Sequence, residues 1–440
     1  MEEIKDIRFD NHELAKEMFT LAEDLFPICR SITGNGVRQS LERLKEVIPL
    51  EIQEVPTGTQ AFDWTIPKEW NITDAWIKGP NGEKIIDFND SNIHILNYST
   101  PINQKMPLSE LKEHLFSTEE NPEWIPYRTS YYKENWGFCI SDYQLEDLED
   151  GEYEVLIDSS LEDGSLSYGE FFVKGSSEKE ILLTCYTCHP SIANDGLSGI
   201  VLLTYLAGEL MNADNLKYSY RFLFIPETIG SITWLSRNED KLANIQCGLV
   251  ATCVGDGGHF TYKKTRGGNA SIDRIVDQVL KKTGWFYQLE DFHPFGSDER
   301  QFCSPAFNLQ VGSLMNTMYG NYEEYHTSGD NLDLISGEGL SRSLWIYLKV
   351  IAELENRINY ESLNPKGEPQ LGKRDLYRNI GLPKGEEIEE AFFWIMAYGD
   401  GSYALSDIVW MSKLSLDLVT KAAEVLEKKE LIRFLDYPKN

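Results

Sequence analysis

The sequence has no apolar run long enough for a membrane span of roughly 18–20 residues. The nearest, SGIVLLTYLAGELM at 198–211, is shorter and reads as a buried helix. The first residues, MEEIKDIRFDNHELAKEMF, are acidic and lack a long apolar core, so no secretory signal is expected. Cationic residues are scarce: 41 Lys and Arg against 71 Asp and Glu leave a formal net charge of -30. That argues against binding to a phosphate backbone over the whole molecule, because no cationic surplus exists to neutralise it. The cysteines are odd in number, seven. Without an export signal they predict no disulfide framework, and the cytoplasm is the expected compartment. No internal repeat or low-complexity tract is present.

What is present is a chain of 440 residues, enough for two or three domains. HELAKEMFTLAEDLF and GVRQSLERLKEV carry apolar residues at helical spacing on either side of the turn SITGNG. From about Glu51 the pattern becomes short strand-like runs, WTIPKEW, IHILNY, WGFCIS and YEVLID among them, with GPNGEK as a hairpin turn. After about Leu166, apolar strands (YGEFFVKG, EILLTCYTC, YSYRFLFIP, CGLVATCVG, AFNLQVGS) alternate with helical stretches, which predicts an α/β domain with a mixed central sheet. NYESLNPKGEPQLGKRD reads as a linker. Three helices and a strand then follow, GEEIEEAFFWIMAYG, ALSDIVWMS, LDLVTKAAEVLEKKE and LIRFLD, in a winged-helix pattern. The expected domains are a discontinuous α/β domain at 1–55 and 165–362, an inserted β-rich domain at 56–164 and a winged helix at 370–440. The second of the turn-linked helices carries Asp417, Glu424, Glu427 and Glu430 among its lysines. That charge favours contact with a protein partner or self-association over contact with DNA.

The stretch LLTCYTCHPSIANDGLSG holds the densest chemistry. Cys185-Tyr186-Thr187-Cys188-His189 fits a haem-attachment pattern literally, but it lies in an apolar strand and no second C-x-x-C exists for a zinc ribbon. Cys185 and Cys188 are therefore read as buried packing. His189 ends that strand, and in open α/β sheets ligands bind beyond the carboxyl ends of strands. Asp195 precedes a helix, where a plain N-cap would also suit it. Glu227 ends the strand YSYRFLFIPE, where a first-turn acid favoured by the helix dipole is the plain alternative. His326 lies in the polar loop YHTSGDNLD and would otherwise be a surface histidine. Together, two imidazoles and a carboxylate suit Zn²⁺ with a position left for water. A second carboxylate beside that water suits a general base.

The ordered motifs CHPSIANDGLSG, RFLFIPETIGS, FGSDERQF and YHTSGDNLD resemble the co-catalytic zinc aminopeptidases, a group that includes bacterial leucyl aminopeptidases and glutaminyl cyclases. Within it they are most similar to bacterial polysaccharide-biosynthesis proteins with an aminopeptidase-like domain. The resemblance covers about Asp10–Glu51 and Leu166–Ile358. It implies a phosphorylase/hydrolase-like fold and a zinc-dependent amidohydrolase of aminopeptidase type. It implies His189 and His326 as metal ligands, Asp195 as the bridging aspartate and Glu227 as general base. Asp298 and Arg300 of SDERQF are implied to line the substrate side, where an exposed charged turn is the plain reading. Three positions depart from the family pattern: Thr228 replaces a metal-binding Glu, Thr252-Cys253 replaces the strand-end Asp, and Ser191 replaces the Asp that supports the first histidine. A neutral threonine supplies no charge to a second ion. One zinc is therefore expected, on His189, Asp195 and His326, with Asp256 and His259 as candidates for a weak second site. The expected substrate is a small peptide or another amide. The alternative is an aminopeptidase-fold protein that binds or regulates without turnover, in polysaccharide biosynthesis or through its winged helix.

Overall fold

The computed structural model describes residues 11–376 and 387–435. The start of the helix expected from Gly385 and the end of the strand expected to reach Asp436 lie outside the described residues. Helices α1 (His12–Leu25) and α2 (Asn35–Leu44) form at the expected apolar spacing, and α1 is capped by Asn11, which accepts the Leu14 N–H. Strand β1 (Glu51–Pro56) follows. Then β2 (Glu69–Lys78), β3 (Lys84–Asp87), β4 (Ile102–Pro107) and β5 (Glu152–Glu162) make an antiparallel sheet in the order β3-β2-β5-β4. GPNGEK is the β2–β3 turn, and Gly82 adopts the φ of +85° it requires. The expected strand IHILNY is irregular instead, a 3-10 turn at Asn92–His94 and then loop. Its backbone groups pair with a distant loop, Leu96 N–H to Gly137 carbonyl at 3.1 Å and Asn97 N–H to Arg128 carbonyl at 2.9 Å.

Seven more strands join β1: β6 (Ser165–Val173), β7 (Glu180–Tyr186), β8 (Ser219–Ile225), β9 (Ile245–Ala251), β10 (Phe260–Lys263), β11 (Tyr287–Glu290) and β12 (Val311–Met315). The eight-stranded sheet has the order β1-β6-β8-β7-β9-β12-β10-β11. Its centre, β8-β7-β9-β12, is parallel. Every residue of β7 and β8 is buried, as the unbroken apolar runs of a doubly covered parallel sheet require. The covering helices include α3 (Ser198–Met211), α4 (Ile229–Arg237), the short α6 (Glu299–Phe302) and the first part of α7 (Gly337–Glu355), while α5 (Ser271–Thr283) falls almost wholly in the second unit described below. A Cβ on Gly199 would lie 2.2 Å from the Ala251 carbonyl oxygen. This glycine lets the start of α3 sit on the end of β9, which draws the preceding loop, with Asp195, onto the sheet.

One core cluster contains Trp70, Ile77 and Val155 of the insertion together with Leu182, Leu223 and Val250 of the large sheet. The β-rich stretch thus has a sheet of its own but shares its core with the α/β part. The C-terminal part contains β13 (Asn359–Ser362), α8 (Glu387–Ala397), β14 (Asp400–Ala404), α9 (Leu405–Ser412), α10 (Leu416–Lys428) and β15 (Ile432–Leu435). Its sheet is antiparallel in the order β14-β13-β15. Of the described residues, those up to Ile272 with Thr283–Lys349 form one compact unit, and Asp273–Lys282 with those from Val350 onward form a second. The stretch read as a linker is structural: 359–362 is the central strand β13, and Tyr360 and Leu371, with Leu376 just beyond the stretch, enter the second unit's core. Polar residues alternate with Tyr360 there, which disguised a short strand buried on one face.

Candidate metal centre and active site

The parallel strands end where the chemistry collects. His189 follows β7, Glu227 follows β8 and Thr252 follows β9. Asp195 is not an N-cap. The cap position of α3 is Leu197, and Asp195 sits in an irregular turn with φ -81° and ψ 95°. Its Oδ2 lies 2.9 Å from His326 Nε2 and 3.7 Å from His189 Nε2. Ligand atoms of these three residues all fall within 4.8 Å of one another. Burial works against ionising Asp195, but His189, His326 and the Tyr186 hydroxyl together hold its carboxyl well below the usual range. Burial also pulls His189 down to about 4, helped by His326 and Arg30 and opposed by Asp195. Ionised Asp195 and neutral His189 are the states in which both can ligate a metal. This donor set fits one divalent ion of zinc type.

The other oxygen of Asp195 is engaged differently. Oδ1 accepts from the Tyr186 hydroxyl and from Thr252 Oγ1 (3.3 Å), with Cys253 Sγ at 3.9 Å. Hydroxyl and thiol groups thus surround it. Asp256 and His259 do not join the cluster. Asp256 accepts from Asn194 Nδ2 (2.9 Å), Gly258 N–H (2.5 Å) and Thr317 Oγ1 (2.9 Å), so its carboxylate is consumed in holding loops. His259 packs against Phe286, with ring centres 5.0 Å apart. The expectation of a weak second metal on these two residues is corrected accordingly.

Glu227 is half-buried at a sharp turn. Thr228 adopts φ 63° and ψ -72°, and the Ile229 N–H closes a γ-turn on the Glu227 carbonyl at 2.7 Å. A β-branched residue in this region is strained, of order 1–3 kcal/mol. Asp298 holds it there, accepting the Thr228 N–H at 2.7 Å and Ser231 Oγ at 2.9 Å. Burial, then the charges of Asp298 and Asp195, push the Glu227 carboxyl well above its usual value, against the pull of Arg300. Burial pushes Asp298 up to about 7. Arg300 donates from Nη2 to Thr228 Oγ1 at 3.0 Å. Asp298 and Arg300 thus meet Glu227 through Thr228. Asp298 is a buried support, contrary to its reading as a residue open to substrate.

Several contributors escaped the sequence. Cys188 is more than packing: its Sγ accepts the Glu227 N–H at 3.3 Å, lies 3.8 Å from His189 Nδ1, and forms with His189 and Glu227 a second group of ligand atoms within 4.8 Å. Cys185 is buried, and both cysteines are free thiols. Arg30 donates to the His189 and Pro190 carbonyls, each at 2.8 Å. Asp330 accepts the Asn194 and Asp195 N–H groups at 2.6 and 3.1 Å and the Tyr322 hydroxyl at 2.9 Å. From the insertion, Tyr127 places its ring 5.2 Å from His189 and 5.3 Å from His326 and donates its N–H to the His326 carbonyl at 2.7 Å. A cleft of 890 Å³ opens beside His326, between the insertion (Asn121, Arg128) and the loop carrying Tyr322 and Tyr325.

Fold and site together define an α/β chain of aminopeptidase-like fold with a C-terminal winged helix. The chain belongs to the family described as a domain of unknown function, DUF4910, which matches residues 19–357, and a winged helix-turn-helix family matches 358–434. It is 53% identical over 436 residues, 99% of this chain and 100% of the relative, to a Clostridium acetobutylicum protein named as a polysaccharide biosynthesis protein with an aminopeptidase-like domain. A solved structure from the same organism, described as a peptidase, is 53% identical with a TM-score of 0.82, covering 96% of this chain and 97% of that one. A zinc aminopeptidase of Bacillus subtilis shares the fold at 14% identity and a TM-score of 0.57, covering 79% of this chain and 96% of its own. Among the described residues, no helix is long and apolar enough to cross a membrane.

Proposed function

We propose that this chain is a metal-dependent amidohydrolase, with one zinc ion held by His189, Asp195 and His326. The observation that carries the reading is Asp195 Oδ2 facing both imidazoles at the carboxyl ends of parallel strands. When bound, such an ion polarises a scissile carbonyl and lowers the pKa of a water to about 7. Glu227, which ends strand β8 beside the ligand cluster, takes the proton of the attacking water and returns it to the leaving nitrogen. The water oxygen bonds to the carbonyl carbon, the C–N bond breaks, and a carboxylate and an amine result. The Thr228 turn and Asp298 fix the direction of Glu227, and Arg30, Asp330 and Tyr127 fix the two loops bearing the ligands. The name of the C. acetobutylicum relative supports a place in polysaccharide biosynthesis, and the substrate proposed is a small peptide or another amide.

The test is a panel of amides assayed with zinc-loaded protein and with Glu227→Gln. The variant keeps its zinc and loses at least about a hundredfold in kcat, as expected for a general base. Full activity in that variant overturns the assignment. A binding role without turnover is the second reading, favoured by Thr228 and Thr252 standing where the resemblance implies carboxylates. The winged helix is proposed as a protein-contact module.

A further inference from the structure

We infer that Arg300 anchors a carboxylate borne by the substrate beside its scissile amide, so that the chain acts on acidic amides and not on free amino termini. The inference rests on the hydrolase reading above and specifies its substrate class. In a chain with 71 acidic residues and 41 basic ones, most buried or half-buried guanidinium groups near the site would be expected to find an acid. Arg300 has none. Its Nη2 is bonded to the neutral Thr228 hydroxyl, and its Nε is buried without an acceptor. Among the described residues it forms no ion pair. The Nη2 bond sets the half-buried guanidinium against Thr228, the residue next to the base Glu227.

The carboxylates around the site are committed to the chain. Asp298 spends Oδ1 on Thr228 and Ser231, and its Oδ2 is closed off from solvent. Asp330 holds two N–H groups and a phenol, and Asp256 holds three loops. Glu227 is reserved for the proton. None of these four is open to the ammonium of a free amino terminus, whereas a half-buried guanidinium held by a neutral hydroxyl suits a carboxylate. Arg300 is also held ready. Its neighbour Glu299 forms a fully buried pair with Lys263 at 2.6 Å and accepts Ser313 Oγ at 2.7 Å. The same Lys263 binds the Phe295 carbonyl and Tyr319 hydroxyl, each at 2.8 Å, which fixes the chain leading into the short α6 turn. A donor fixed before binding loses little entropy when the ligand arrives.

The test compares N-acetylphenylalanine, its neutral carboxamide and phenylalanyl p-nitroanilide on the zinc-loaded full chain. Binding of N-acetylphenylalanine is also measured by calorimetry. The acid should exceed the carboxamide in kcat/KM by roughly tenfold or more, and Arg300→Gln should erase the ratio through KM. Arg300→Lys, which keeps the charge without the fork, should fall between, and it covers the case in which Arg300→Gln folds poorly. Preference for the free-amine anilide, or an acid preference unchanged in both variants, overturns the inference and leaves the hydrolase reading standing. If nothing is hydrolysed but the acid binds and both variants weaken it, the carboxylate anchor holds and the hydrolase reading fails. If nothing is hydrolysed and the acid does not bind, the anchor is overturned.

Discussion

The fully buried guanidinium of Arg30 donates to the carbonyls of His189 and Pro190, 159 and 160 residues away. A third bond, to the Leu25 carbonyl at 2.5 Å, ties it to the end of α1. The histidine at the centre of the site is thus aimed through its main chain. Arg30→Met leaves buried carbonyls without donors. It should cost about 2–4 kcal/mol in urea unfolding, and it should loosen zinc binding in a chelator competition.

Asp330 does for Asp195 what Arg30 does for His189. Asp330→Asn exchanges one acceptor oxygen for a donor, which then faces an N–H or the Tyr322 hydroxyl. Zinc affinity should fall by roughly ten- to a hundredfold, as for other outer partners of metal ligands. Calorimetric titration with zinc measures it, and far-UV circular dichroism should stay native.

The hydroxyl cluster around Asp195 Oδ1 predicts a metal count. Purified protein should bind one ion per chain by elemental analysis. Thr252→Asp puts a carboxylate beside that oxygen and should raise the count toward two. A wild-type count of two would overturn the single-ion assignment.

In the second unit, Arg357 grips the buried Asp407 with both nitrogens, at 3.2 and 2.6 Å. Burial raises the carboxyl, but Arg357 and Arg274 outweigh it and hold Asp407 below its ordinary value. With a depressed folded-state pKa, this stabilisation is fully present above the unfolded pKa of about 3.9 and is lost as the pH falls below it. Urea melts from pH 7 to pH 3 should show the loss. Asp407→Asn should cost about 3–5 kcal/mol at pH 7, because both arginines stay buried, and should flatten that slope.

Much of this was legible in the sequence because strand ends announce themselves. His189 and Glu227 each close an apolar run, and His326 lies in a polar loop already marked by its motif. Arg30 and Asp330 were not legible, because both act on main-chain groups, which leave no pattern in side-chain chemistry. Cys188 was misread for a related reason: an apolar setting argues for packing, and only the γ-turn at Thr228 brings the Glu227 N–H to its sulfur. Asp256 was misread in the opposite direction. A strand-end carboxylate resembles a ligand until its loop partners are known. Asn359–Ser362 looked like linker because one inward Tyr360 among polar neighbours is too short a signal for periodicity.

The bond from the Tyr127 N–H to the His326 carbonyl has a consequence for the order in which a newly made chain matures. The ligand loops meet only when segments near residues 30, 127, 189 and 330 are all present, and contacts of such long sequence separation form late. A ribosome-bound fragment ending before Asp330 carries His189, Asp195 and Glu227 but lacks the clamp that shapes them. A nascent or truncated chain of that length is therefore expected to lack the formed ligand cluster, which comes together only once the last of these segments has been made.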